Sequence, residues 1–322
     1  MRIFNFVAHF ALAAGLVASG GALAAYPEKP VTLVVPYPAG GATDVIARLV
    51  ADKLPAKWGQ QVIVTNRPGA GTTLAAEGVA RAPADGYTLY MTTAAHTISA
   101  SLYKNLNYDP LKDFAPITLT ARIPLVLVTA KSVPAKTLSE LIEYGKQAEQ
   151  GLTMASSGNG SPQHLTGELF KGETGLKLVH IPYRGDTPML TDLVGGQVQM
   201  AFVTLSAALP HIQAGKLNAI ALASEKRIAA IGDVPTMAEA GMPGFVAATW
   251  FGLFAPAGIP DDIREKIYQD VSAIVGQPEM TRKLQDMGAE VNNSTPQEFQ
   301  AFIDAEAKRW AEGVRISGAR ID

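Results

Sequence analysis

The chain has 322 residues, a formal net charge of −2 and no cysteine. A near-neutral balance argues against a nucleic acid or an anionic membrane surface as partner, and the lack of thiols excludes disulfides, thiolate metal sites and thiol catalysis. The length is enough for two lobes with substantial cores.

The first residues read as an export leader over 1–24. Arg2 gives a positive start, Phe6 to Val17 an apolar stretch, and Ala22-Leu-Ala24 a small-x-small cleavage pattern. The interruptions at His9 and Gly15, and then Ser19 to Gly21, argue against a membrane anchor, and no later segment is long and apolar enough to span a bilayer. A periplasmic protein cleaved near Ala24 is expected.

The run Val31 to Val35 predicts a strand. It meets Pro36, Pro38, Gly40 and Gly41, and then a helical pattern with Val45, Ile46, Leu49, Val50 and Leu54 on one face. Thr43 or Asp44 is the expected cap. Backbone N–H groups in such a loop, followed by the positive end of a helix, offer an anion a seat without a basic side chain, although a single loop of this kind is equally an ordinary strand-to-helix turn.

Gln61 to Arg67 and Tyr87 to Thr93 predict two further strands, with a small-residue helix from Thr72 to about Arg81 between them. Strands alternating with helices imply βαβ units and a mainly parallel sheet, which puts the loops at 36–44, 67–73 and 92–97 on one edge. From Ile117 to Ala130 the chain is strand-like except for Pro124 and reads as a crossing segment. Thr137-Leu-Ser-Glu140 is a capping box opening a helix.

A second βα series then begins. Leu152 to Ser156 is a strand, Ser156 to Ser161 a Gly-rich loop, and Pro162 a first helical residue. The strand Lys177 to Ile181, the loop Pro182 to Pro188, a helix through Leu193, the strand Val198 to Val203, a helix through Gln213 and the strand Asn218 to Ala223 follow. Pro243 to Pro256 crosses back, and helices from Pro260 to about Val275 and Pro296 to about Val314 pack on the first lobe. Two βα lobes joined by two crossing segments, with a cleft between their loop edges, form the architecture of a bilobal solute-binding protein.

The ordered strings Tyr26-Pro-Glu-Lys-Pro30, Val35-Pro-Tyr-Pro-Ala-Gly-Gly-Ala-Thr-Asp44, Asn66-Arg-Pro-Gly-Ala-Gly71 and Ala82-Pro-Ala-Asp-Gly-Tyr87 carry a likeness that continues downstream. There it runs through Ser156-Ser-Gly-Asn-Gly-Ser-Pro-Gln-His-Leu165, Ile181-Pro-Tyr-Arg-Gly185, Ala208-Leu-Pro-His-Ile-Gln-Ala-Gly-Lys216, Val234-Pro-Thr-Met-Ala-Glu-Ala-Gly241 and Trp250-Phe-Gly-Leu-Phe-Ala-Pro-Ala-Gly258. With these the chain resembles the extracytoplasmic receptors of tripartite tricarboxylate transporters, the Bug family.

The resemblance implies an α/β, type II periplasmic-binding-protein fold with lobe 1 over 25–123, lobe 2 over 124–246, and the return crossing and C-terminal helices over 247–322. It implies a monomer that closes on a small organic carboxylate and presents it to membrane permease subunits, with no cofactor or metal. The ligand positions it implies are Ala39, Gly40, Gly41, Ala42, Thr43, Thr93 and Ala95 in the first lobe, and Ser156, Ser157, Asn159, Gly160, Arg184 and Thr204 in the second. Many relatives read Phe-Asp-Asn where this chain has Phe202-Val203-Thr204. The missing acid favours a plain or aromatic dicarboxylate over an amino acid.

Several residues have two readings. Arg184 is a bidentate partner for a second carboxylate or a solvated loop charge. His164 reads as a structural hydrogen-bonding residue rather than a base, and Trp250 and Phe251 serve packing or stack on an aromatic ligand. Ser157, His164 and Asp186 can be written as a triad, but no Gly-x-Ser-x-Gly elbow supports catalysis. The histidines show no metal-ligand spacing and the glycines no dinucleotide or phosphate-loop fingerprint. A receptor read by a periplasmic sensor, instead of a permease, is the remaining alternative.

Overall fold

The structure is a computed structural model and describes residues 26–319 and 321. The leader and its cleavage near Ala24 lie outside the described residues. In chain order the elements are β1 (Val31–Val35), α1 (Ala42–Ala51), α2 (Pro55–Trp58), β2 (Val62–Asn66), α3 (Thr73–Ala80), β3 (Thr88–Thr92), α4 (Ala95–Leu102), β4 (Phe114–Ala130) and α5 (Leu138–Gln147). They continue with β5 (Leu152–Ser156), α6 (Pro162–Thr174), β6 (Leu178–Pro182), α7 (Asp186–Val194), β7 (Met200–Thr204), α8 (Leu205–Gln213) and β8 (Leu217–Leu222). The last are β9 (Ala248–Pro256), α9 (Asp261–Val275), α10 (Pro278–Asp286), β10 (Glu290–Val291) and α11 (Pro296–Ser317).

One curled sheet runs β2-β1-β3-β9-β4-β7-β5-β6 and carries two lobes. In the first, β1 pairs in parallel with β2 and β3, so the loops after these strands share an edge, as the sequence predicts. In the second, β5 pairs in parallel with β6 and β7. The crossing strands make the whole sheet mixed. The early part of β4 pairs antiparallel with β9, from Phe114 opposite Pro256 to Pro124 opposite Ala248. Its later part pairs antiparallel with β7 and β8, beginning with Leu125 opposite Thr204. A single strand therefore belongs to both lobes.

Local sequence accounts for most boundaries. Thr137 and Glu140 form the capping box at α5, Ser161 caps α6 ahead of Pro162, and Thr295 with Glu298 repeats the box at α11. The cap of α1 differs from the expectation. Gly41 is the N-cap, with no side-chain hydrogen bond, and Asp44 lies in the first turn. Helix α7 begins at Asp186, inside the segment read as a loop, while α2, α10 and β10 are additional elements.

Trp250 shows how the C-terminal helix is fixed to lobe 1. Its indole is 2% exposed and packs edge-on against Phe299 and Phe302 of α11. Its Nε1–H donates to Glu306 Oε2 at 2.9 Å, and Trp310 Nε1–H donates to the same oxygen at 2.8 Å. Gly252 leaves the space that the Phe299 ring fills, since a Cβ there would collide with it. Glu306→Ala strands two buried indole donors and is expected to destabilise the fold by about 2–4 kcal/mol, whereas Glu306→Gln keeps an acceptor and loses about 1 kcal/mol. Urea unfolding of the two variants checks this, and equal losses would show that the hydrogen bonds are not the cause.

Candidate solute-binding cleft

The loop after β1 is held from below. Gly40, at φ +87°, turns the chain, and its N–H donates to Asp44 Oδ2 at 2.9 Å. Arg48 Nε donates to the same oxygen at 3.0 Å, and Asn66 Nδ2 donates to Asp44 Oδ1 at 2.9 Å and to the Tyr37 carbonyl at 3.0 Å. Burial by itself pushes the Asp44 carboxyl up, but the hydrogen bonds from Arg48, Gly40 and Asn66 outweigh it and leave it below the ordinary carboxylate value. The acid is thus committed to the loop. Because Gly41 brings no capping side chain, the first N–H groups of α1 remain open.

These groups form one wall of a cleft lined from lobe 1 by Tyr37, Pro38, Gly41, Ala42, Thr43 and Thr93. Tyr37 and Thr93 share a hydrogen bond of 2.7 Å between their hydroxyls. Burial raises the Tyr37 pKa, with the nearby Asp186 charge adding to it, so the phenol is neutral at physiological pH. The crossing strand β9 contributes Thr249 and Phe251.

The facing wall comes from three helix starts. Ser157, Pro162 and Gln163 stand at the entry to α6, Gly185, Asp186 and Thr187 at that of α7, and Thr204 at that of α8. Gly185, at φ +111°, lies against the lobe-1 loop: a Cβ there would sit 3.4 Å from Pro38 Cδ. Neither Gly185 nor Thr204 caps its helix with a side chain, leaving two more sets of N–H groups open. None of the lining residues is a Lys, Arg or His.

Among the positions named from sequence, Gly41, Ala42, Thr43, Thr93, Ser157 and Thr204 line the cleft together. Ala39 and Gly40 shape the loop beneath it, and Ala95 sits behind Thr93, its N–H 3.4 Å from Thr93 Oγ1. Ser156 is fully buried, with its hydroxyl 2.6 Å from His180 Nε2 and bonded to Gly158. Asn159 is exposed on a separate depression with Leu102 and His164, and Gly160 packs against Leu102 while its N–H donates to His164 Nδ1 at 3.2 Å. Arg184 is exposed and outside the lining.

Sequence reasoning missed Tyr37, Pro38, Gln163, Asp186, Thr187 and Thr249. Val203, where many relatives carry an acid, is buried in β7, and an acid of another position, Asp186, enters the cleft from the first turn of α7. Trp250 and Phe251 divide, the first into the core and the second into the cleft wall.

His164 stacks on His180 at 4.0 Å, and burial lowers both to about 4. Asp186 accepts instead from Gln163 Nε2 at 3.2 Å, so the hydrogen bonds of the written triad are not formed. Among the described residues there is no cluster of metal-ligating side chains and no helix long and apolar enough to cross a membrane.

A bilobal α/β fold with helix starts aimed at one cleft defines a solute-binding protein, and the comparisons agree. Residues 46–318 match the model of the tripartite tricarboxylate transporter family receptor, and the chain belongs to that family of periplasmic solute receptors. It is similar to Protein BugT of Bordetella pertussis, 35% identical over 99% of this chain and 98% of that protein. Among solved structures, R. palustris Rpa4515 with adipate is 38% identical with a TM-score of 0.89, covering 92% of this chain and 100% of that one. MatC (Rpa3494) from Rhodopseudomonas palustris with bound malate is 35% identical with a TM-score of 0.85, covering 90% and 100%. The family and these neighbours are substrate-binding proteins, not enzymes.

Burial raises the Asp186 pKa from 3.8 to about 6, against the lowering effect of its Thr204 and Gln163 hydrogen bonds. The folded protein then holds this proton more tightly than the unfolded chain. Its contribution to stability is complete below about pH 4 and is lost as pH rises through about 6. Asp186→Asn removes that dependence, so the ligand-free variant is expected to exceed the parent at pH 7.5 by on the order of 1–3 kcal/mol more than at pH 4.5. Urea midpoints at the two pH values measure it, and the same difference at both would contradict the assignment.

Proposed function

We propose that this receptor, after removal of its leader near Ala24, captures a small organic carboxylate in the periplasm and delivers it to the membrane permease subunits of a tripartite transporter. The observation that carries the reading is the chemistry of the cleft: open helix starts of α1, α7 and α8 converge on it, hydroxyls surround it, and no cationic side chain lines it. Helix N–H groups and hydroxyls stabilise a carboxylate while leaving it free to depart, as delivery requires.

In this reading the ligand carboxylate sits on Gly41, Ala42 and Thr43, with Thr93 beside it and Ser157 and Thr204 closing from the second lobe. Lobe 1 comprises 25–123 and the C-terminal part from 247, and lobe 2 comprises 124–246. The adipate and malate of two neighbours support a ligand with a carboxyl group at each end. The receptor works as a monomer.

A thermal-shift panel of mono-, di- and tricarboxylates, sugars and amino acids tests this. A carboxylate at about 100 times its dissociation constant is expected to add roughly 2.7 kcal/mol of stability and to be recovered unchanged. Stabilisation by a sugar or a cationic amino acid and by no carboxylate would refute the reading. Because Arg184 stands outside the lining, Arg184→Ala is expected to change the dissociation constant of the bound carboxylate by less than about twofold, a ceiling typical of exposed charges.

A further inference from the structure

The lobe-2 wall carries two side chains, Gln163 and Asp186, whose acceptor capacity protein donors leave partly unused. Gln163 is 5% exposed, and its Nε2 donates to Asp186 Oδ1 and to Thr204 Oγ1, both at 3.2 Å. The opposite amide orientation would set oxygen against oxygen at Asp186, so Nε2 belongs there. Gln163 Oε1 is left buried without a protein partner in a residue that lines the cleft. Asp186 accepts from Gln163, and no cationic side chain lines the cleft against it.

The ionisable groups around Asp186 are otherwise engaged. Tyr37, across the cleft, is the neighbour that feels its charge, and it remains a neutral phenol bonded to Thr93. Asp44 of α1 is committed to Gly40, Arg48 and Asn66, and Asp192 of α7 accepts from Tyr183 Oη at 2.7 Å. His164 of α6 stacks on His180 of β6. Arg184, two residues before Asp186, is exposed and outside the lining.

This wall therefore offers an acceptor, at Asp186, beside donors, at the open starts of α7 and α8. A complementary ligand group must donate and accept at once. An ionised carboxylate only accepts and would meet Asp186 charge against charge. An ammonium only donates and would face two positive helix ends. A carboxylic acid does both.

Resting on the carboxylate reading of the cleft, we propose that the receptor takes a dicarboxylic acid with one proton between its second carboxyl and Asp186, while the first carboxylate lies ionised on Gly41 to Thr43. Above about pH 6, where Asp186 is ionised before binding, each binding event then takes up one proton from solvent. The pair behaves like two carboxyls that share a site and cannot both ionise. The already elevated pKa of Asp186, about 6, gives the pair a head start, because burial has met part of the cost before the ligand arrives.

The test is calorimetric titration with succinate, malate and adipate in two buffers of unlike ionisation enthalpy, at several pH values between 5.5 and 8, beside hexanoate, 6-hydroxyhexanoate and 6-aminohexanoate. For a diacid that binds, uptake of close to one proton is expected at pH 7.5. Its dissociation constant should rise nearly tenfold per pH unit above about 6.5 and flatten below about 6, as linkage to one site requires. Hexanoate should bind without uptake. Asp186→Asn should abolish both the uptake and the slope for the diacid, and the uptake measured on the unaltered protein stands even if that variant does not fold. Diacid binding without proton uptake, diacids that fail at every pH while monocarboxylates bind, or 6-aminohexanoate outranking every diacid at pH 6 would each overturn the proposal. If no carboxylate binds at all, it is the carboxylate reading itself that fails.

Discussion

The pairing of β4 is the constraint on which the rest of the structure depends. One strand of 17 residues is shared by both lobes, bound to β9 on its first stretch and to β7 and β8 on its second. This sets the β1–α1 loop opposite the starts of α6, α7 and α8. Pro124, which has no N–H to give, falls where the partners change, and Leu125 N–H takes up the Ala247 carbonyl at 2.9 Å just beyond it. Register shifts between Pro116 and Thr118 and between Leu119 and Ala121 interrupt the ladder with β9. Such breaks bend a strand and raise its twist, and here they lie on the strand that joins the two lobes.

The alternation of β9 feeds the site directly. Successive side chains on a strand point to opposite faces, so Trp250 and Phe251 cannot share a role. Trp250 goes to the α11 side, where Glu306 meets its N–H, and Phe251 goes to the cleft. The same strand thus anchors the C-terminal helix to lobe 1 and supplies an apolar surface to the ligand space. Packing and binding are coupled through backbone periodicity, and Phe251, buried in the core and lining the cleft, serves both.

Much of this frame was legible in the sequence because it rests on local signals. The β-branched runs at 31–35 and 152–156, the Pro-Gly punctuation after them and the Thr137–Glu140 box each report a boundary through their own chemistry. What could not be read depends on contacts distant in sequence. Ser156 reads as a cleft hydroxyl until His180, on the neighbouring strand, proves to hold it. Asp186 follows Tyr183-Arg-Gly185 in a segment with every mark of a loop, and only its place in the first turn of α7 carries it into the cleft. Gln163 looked like one more polar residue on α6, since nothing in its neighbours announces an amide shared between Asp186 and Thr204. The short or polar α2, α10 and β10 have too little periodicity to stand out.

The two walls are chemically unequal, although they are built on the same strand-loop-helix plan. In lobe 1 the acid of the first helical turn, Asp44, is turned down into the loop and matched by Arg48 and Asn66, so the helix start above it remains positive. In lobe 2 the acid of the corresponding turn, Asp186, is turned up toward the ligand and matched by neutral groups alone. The first wall is thus positive, and the second carries a half-buried carboxyl. On the proposed reading, a ligand whose two ends differ in protonation, or in kind, satisfies both walls at once, and its orientation in the cleft follows from where two aspartates point.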